Sequence, residues 1–289
     1  MAADLLGLAV KILVGSFGLV MTLYLVSTVL PVAGFAARVV AGYLSLTACG
    51  LFGTLASIVM TAAGCQHNAQ WLTARSFQLV MRLATGIAFT VEDASGTLET
   101  VRPAVFVANH QTELDVLMLG AVFPQRCSVA AKSVLKHVPI LGWFMRLSGT
   151  IFIDRGNAKG AREAMRGAAQ EIRDKRQSVF MFPEGTRSYA QEPVLLPFKK
   201  GAFHLAIQAG VPIVPCVVAN YSHILCPRKL LFTSGTIPVK VLDPIPTKGL
   251  DASDVDELTR RTYDVMLREY AVLSVKAQGR PMPVSASPR

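Results

Sequence analysis

The sequence predicts an α/β protein: a mixed, partly parallel sheet flanked by helices, preceded by an N-terminal two-helix membrane anchor. Three observations predict it. From about residue 87 onward, short apolar β-branched runs alternate with helical runs, the pattern of strands joined through helices. Two long uncharged blocks fill most of residues 1–66. Polar signatures close three separate strand candidates, the place where open α/β sheets gather reactive groups.

The anchor comes first. The chain of 289 residues is 52% hydrophobic with a mean hydropathy of +0.42, high for a soluble protein. The excess lies at the front, where Arg38 is the single charged residue between Lys11 and Arg75. Residues 12–30 and 39–63 form two apolar blocks broken at Pro31, each long enough to cross a hydrocarbon core of about 30 Å as a helix. Pro31 and the nearby glycines equally permit a hairpin that enters and leaves one leaflet. Two such blocks in succession argue against a cleaved signal peptide. Lys11, Arg75 and Arg82 flank the outer ends, so the positive-inside tendency places both ends, and everything downstream, in the cytosol. The expectation is an integral membrane protein of the endoplasmic reticulum, or of the inner membrane if the source is bacterial.

Residues 67–275 form the expected main folded domain and residues 276–289, with three prolines, a disordered tail. The chain from His67 carries 27 of the basic and 18 of the acidic residues, a net of +9, which suits an anionic bilayer surface or a phosphorylated substrate. No basic–aromatic interleaving supports nucleic acid as a partner. The five cysteines show no metal-ligand spacing and read as reduced.

Residues 67–86 read as an amphipathic helix, placed either at the membrane interface or on the sheet. Ile87–Glu92 and 104–108 read as the first strands, 114–122 as a helix and 128–131 as a short strand ending at Lys132. Residues 138–145 are densely apolar, either core or a surface that dips into lipid. A strand over 149–153 ends on Asp154 and Arg155, followed by a polar helix over 158–176. Residues 178–182 read as a strand running into Pro183-Glu184-Gly185-Thr186-Arg187-Ser188. A helix over 199–209, strands over 212–218 and 236–242, and a closing helix over 254–271 complete the pattern.

The chain is organised around Asn109-His110-Gln111-Thr112-Glu113-Leu114-Asp115. On one continuous helix, residues five apart point roughly 140° away from each other. His110 and Asp115 can therefore touch only if the helix begins between them, with Asn109 or Thr112 as its N-cap. A His held by a carboxylate can act as a general base. Arg155 and Arg187 end two other strand candidates and would bring two guanidiniums toward it, a setting for phosphate. Gly185 would let backbone approach a ligand, and Glu184 would orient an Arg or a substrate hydroxyl.

These residues resemble the glycerolipid acyltransferases, and within them the 1-acyl-sn-glycerol-3-phosphate acyltransferases. Residues 109–115 look like the family's His-x4-Asp motif, residues 149–155 its second block, residues 182–188 its third, and Val211-Pro212-Ile213-Val214-Pro215 its hydrophobic fourth. Thr112 stands where Ser is commoner. The resemblance implies His110 and Asp115 as the catalytic pair. It implies Arg155, Glu184, Gly185, Thr186 and Arg187 in acceptor binding, with Lys132 as a further basic position. It implies acyl transfer from acyl-CoA, the donor substrate, to the sn-2 hydroxyl of lysophosphatidic acid, at a bilayer, with no metal and no cofactor. Other lysophospholipid acceptors, a hydrolase using the same pair, and a catalytically silent lipid-binding protein are the alternatives.

Overall fold

The computed structural model describes residues 2–154 and 156–279. In chain order its elements begin with three helices, α1 (Ala2–Val26), α2 (Pro31–Ala62) and α3 (Ala69–Thr85). Then follow β1 (Ile87–Glu92), α4 (Thr97–Thr100), β2 (Val105–Ala108), α5 (Asp115–Val122), β3 (Cys127–Lys132), α6 (Leu141–Leu147) and β4 (Ile151–Ile153). The chain continues through α7 (Ala158–Lys175), β5 (Ser178–Met181), α8 (Gly201–Ala209), β6 (Ile213–Val218), β7 (Leu225–Cys226), β8 (Leu231–Phe232), β9 (Gly235–Val241) and α9 (Val255–Gln278).

Seven strands form one sheet in the order β1-β9-β6-β2-β5-β3-β4. The five from β6 to β4 run parallel, and β9 pairs antiparallel with β6. The sheet is mixed and mostly parallel, as the alternation of strands and helices predicts. The reversal at β9 has a local cause. Residues 219–234 link it to β6 through the small β7–β8 hairpin instead of a crossover helix, so the chain returns antiparallel.

The central strands are short apolar runs because both faces are covered. Along β2, Phe106 and Ala108 enter one core with α3 and α5, while Val105 and Val107 enter the other with α7, α8 and α9. Phe106 and Phe180, from adjacent strands and both fully buried, stack with ring centres 6.3 Å apart. Burying each such side chain is worth about 1.5–3 kcal/mol.

Helix α2, 32 residues opened by Pro31, is long and apolar enough to cross a membrane by length and composition; residues Val14–Val26 of α1 form a shorter apolar stretch. Small residues of α2 (Ala33, Ala37, Ala41, Cys49 and Gly53) are buried, while Leu51, Leu55, Ile58 and Val59 are exposed. The lone charge Arg38 is satisfied inside the fold. Its guanidinium donates to the carbonyls of Thr85 and Phe232 at 3.2 Å each and lies over the Tyr24 ring. The apolar run at 138–145 becomes the turn into α6, where Met145 is buried and Trp143 exposed.

The closing helix outruns its sequence-based end. Residues 276–278, expected in the disordered tail, are helical, because the Gln278 amide donates to Asn220 O and Oδ1 at 3.2 and 3.0 Å. The rest of the tail, 280–289, lies outside the described residues.

Candidate active site

Because β6, β2, β5, β3 and β4 are parallel, their C-terminal ends share one sheet edge. That edge carries Tyr221 after β6, His110 after β2, residues 182–187 after β5, Lys132 at the end of β3 and Asp154 after β4. This is where an open α/β sheet places ligands.

Helix α5 begins at Asp115 itself, after a turn over residues 112–114, so the His and the Asp meet across the helix start. His110 Nδ1 lies 2.7 Å from Asp115 Oδ2. The same oxygen accepts the N–H groups of Gln111 and Thr112, the latter at 3.1 Å, and Oδ1 accepts the Tyr221 hydroxyl at 2.7 Å. Three donors converge on Oδ2 and one on Oδ1, so the carboxylate is held by four groups at once. With Asp115 fully buried and accepting at Nδ1, the imidazole proton sits on Nδ1 and leaves Nε2 as the basic nitrogen. Phe182 stacks on the imidazole with ring centres 4.2 Å apart, and 20% of the His side chain stays exposed.

Neither expected N-cap acts as one. The residue before α5 is Leu114, whose N–H is taken by Thr112 Oγ1 at 3.1 Å. Asn109 is committed elsewhere: its amide donates to Val218 O at 3.0 Å and accepts Val218 N–H at 2.8 Å. That two-way bond joins the ends of β2 and β6 and fixes the backbone that carries His110.

Glu184 is also differently placed from expectation. Both its oxygens are used by backbone, accepting His110 N–H at 2.6 Å and Leu196 N–H at 2.9 Å, so it braces the loops instead of orienting an Arg or a substrate. A buried carboxyl must be satisfied locally, and main-chain donors are the ones at hand. Burial pushes its pKa up to about 8 against the two N–H groups, which favour the charged form. Gly185 has φ 74°, in the left-handed region that glycine adopts without strain, and this turns the chain sharply after β5.

Thr186 and Arg187 are exposed. Arg187 Nη1 pairs with Glu113 Oε1, and its guanidinium lies 5.5 Å from the centre of the Tyr189 ring. Lys132 and Asp154 are exposed on the same edge. Arg155, the other expected phosphate ligand, lies outside the described residues. Among the described residues, no three His, Cys, Asp or Glu side chains gather as metal ligands do.

Sequence reasoning missed Tyr221, and gave Phe182 and Gln111 no role of their own inside the motifs that contain them. The Gln111 amide donates to Ala219 O at 3.0 Å and accepts the Tyr270 hydroxyl at 3.1 Å, linking the motif to β6 and α9. One signal was available: Asn220-Tyr221-Ser222 is a polar stretch directly after an apolar strand, in the same position as the His motif after β2.

A mostly parallel sheet with a carboxylate-held histidine at its C-terminal edge defines a class, and the chain belongs to it: the acyltransferase family, whose model matches residues 78–219. The chain is 44% identical over 224 residues to the 1-acyl-sn-glycerol-3-phosphate acyltransferase of Saccharomyces cerevisiae, covering 78% of this chain and 73% of that one. It is 36% identical over 234 residues to human 1-acyl-sn-glycerol-3-phosphate acyltransferase beta, covering 80% of this chain and 83% of the relative. The fold matches the crystal structure of the 1-acyl-sn-glycerophosphate (LPA) acyltransferase of Thermotoga maritima with a TM-score of 0.63, at 23% identity, over 90% of this chain and 96% of that one.

Proposed function

We propose that this acyltransferase moves a fatty acyl group from acyl-CoA to the sn-2 hydroxyl of 1-acyl-sn-glycerol 3-phosphate, giving phosphatidic acid and CoA. The relatives named above support the acceptor. The observation that carries the chemistry is the 2.7 Å contact between His110 Nδ1 and buried Asp115, which leaves Nε2 available at the sheet edge.

In this reading His110 Nε2 takes the acceptor's hydroxyl proton as the oxygen attacks the thioester carbonyl. The tetrahedral intermediate collapses, the C–S bond breaks, and the imidazolium returns its proton to the leaving thiolate. Asp115 stabilises the imidazolium and, with the Phe182 stack, keeps the ring from turning. Arg187, with Lys132 and Arg155, seats the phosphate, and Gly185 and Thr186 shape the loop beside it. The reaction draws on no metal or cofactor. The apolar N-terminal helices support a seat at the bilayer that holds both acceptor and product, and we place the catalytic face in the cytosol, at the endoplasmic reticulum or a bacterial inner membrane.

The test is acyl transfer from labelled acyl-CoA to lysophosphatidic acid in membranes. His110→Ala is expected to lower phosphatidic acid formation by about 10²–10⁴-fold at unchanged expression. Equal product from both proteins would remove His110 from the mechanism. Rates across other lysophospholipid head groups test the acceptor itself.

A further inference from the structure

We propose that Glu113 competes with the acceptor's phosphate for the Arg187 guanidinium and thereby sets the enzyme's affinity for its acceptor. The inference rests on the acceptor reading above and adds a residue to it.

Glu113 lies inside the His110–Asp115 motif but faces outward, with 50% of its side chain exposed. Its Oε1 pairs with Arg187 Nη1 and also accepts the Tyr189 hydroxyl at 2.6 Å, while the guanidinium lies over the Tyr189 ring. The three side chains form one cluster beside the histidine. The positive charge of Arg187 is met by a carboxylate of the His110–Asp115 motif.

The pair is not what holds the Arg187 segment in place. Ser188 N–H donates to His110 O and Tyr189 N–H donates to Gln111 O, both at 3.0 Å, so the backbone on either side of the site is tied directly. Removing the carboxylate therefore leaves Arg187 beside His110 and releases its guanidinium. With Arg187 itself 40% exposed, the ion pair is solvent-screened and weak, and a phosphate dianion offering a fork of oxygens can displace it. Tyr189 has its hydroxyl pKa pushed up to about 12, by burial and by Glu113, so it keeps its proton. It holds the carboxylate after the guanidinium leaves.

A purely structural role predicts the opposite sign. If Glu113 served to pre-set Arg187 for phosphate, neutralising it would weaken acceptor binding. Glu113→Gln separates the two, because the amide keeps the shape and the Tyr189 hydrogen bond while losing the charge.

The experiment measures KM and kcat for 1-acyl-sn-glycerol 3-phosphate with the full-length protein in detergent. It compares wild type, Glu113→Gln, Arg187→Gln and the double variant. In Glu113→Gln, KM is expected to fall by about two- to five-fold, with a smaller change in kcat. Inhibition by glycerol 3-phosphate is expected to tighten by the same factor. In the Arg187→Gln background the Glu113 substitution should no longer matter. A KM that rises or stays the same, or a shift that persists without Arg187, would overturn the proposal. Should the wild type make no phosphatidic acid, the acceptor reading fails on its own. Calorimetric binding of glycerol 3-phosphate then decides the role of Glu113: tighter binding by Glu113→Gln supports it, and unchanged or weaker binding overturns it.

Discussion

At the scale of single residues, Asp115 is the most connected group in the site, taking donors from His110, Gln111, Thr112 and Tyr221. Asp115→Asn can keep most of this geometry, since the Tyr221 hydroxyl can turn to accept from the new amide, but it removes the charge that stabilises the imidazolium. We expect kcat to fall by about 10³–10⁴-fold with thermal stability changed far less, read by turnover and melting in parallel. Glu184 carries a separate pH dependence. Its carboxyl titrates near 8 in the folded protein against an ordinary value of 4.5, so the folded state binds the extra proton between those values. The stability contribution is complete below about pH 4.5 and is lost as pH rises through about 8, at up to about 1.4 kcal/mol per pH unit. Melting temperature measured from pH 5 to 8 should fall more steeply in wild type than in Glu184→Gln. His110 and Asp115 were legible as a pair because only five positions separate them and a helix start was readable between. Tyr221, 106 positions from Asp115, was not, since its hydrogen bond exists only once β6 is laid beside β2.

At the scale of elements, α5 carries Asp115 on its first residue and packs its other end on α3. The contact is close at Gly120, where a Cβ would come within 2.5 Å of both the Ala74 carbonyl oxygen and Gln78 Cβ. Backbone cannot yield as a flexible side chain does, so Gly120→Ala must push α5 away from α3. We expect a loss of about 1–3 kcal/mol in unfolding free energy and reduced activity, because the shift acts on Asp115 five residues away. Preserved activity at reduced stability would show that the helix start is held by the turn alone. Buried strands were readable as short continuous apolar runs, and amphipathic helices by their apolar period. The β7–β8 hairpin was not, since each strand has two residues and no period to detect. The antiparallel setting of β9 was also hidden, because a strand's sequence does not record its neighbour's direction.

At the scale of the whole molecule, the N-terminal helices are part of the folded core. Cys49 of α2 shares a buried cluster with Phe77 and Met81 of α3 and with the β1 and β2 side chains, and Phe35, Val39 and Leu46 pack against it. Arg38 adds hydrogen bonds to the ends of α3 and β8. Deleting residues 1–62 would uncover this face next to the exposed Leu79 and Leu83. The truncated chain is expected to aggregate in the absence of detergent, seen by light scattering. A monodisperse, active fragment would show that residues 63–289 are self-sufficient. Sequence could recognise α2 as apolar and long, but apolar composition reads the same toward lipid as toward protein. Its burial against α3 became visible only with both helices placed.

What the sequence determined by itself was local: the apolar strands, the helix start inside the His-x4-Asp spacing, the glycine after β5, and a front end with a stretch long and apolar enough to cross a membrane. Each of these depends on residues within a few positions of one another, where period, capping and backbone freedom act. The tertiary structure decided which distant groups meet. It brought Tyr221 to Asp115, turned Glu184 onto backbone instead of ligand, set Glu113 against Arg187 and drew α2 onto α3. Those outcomes depend on sheet order and on satisfying buried polar groups, and both are settled only when the whole chain packs.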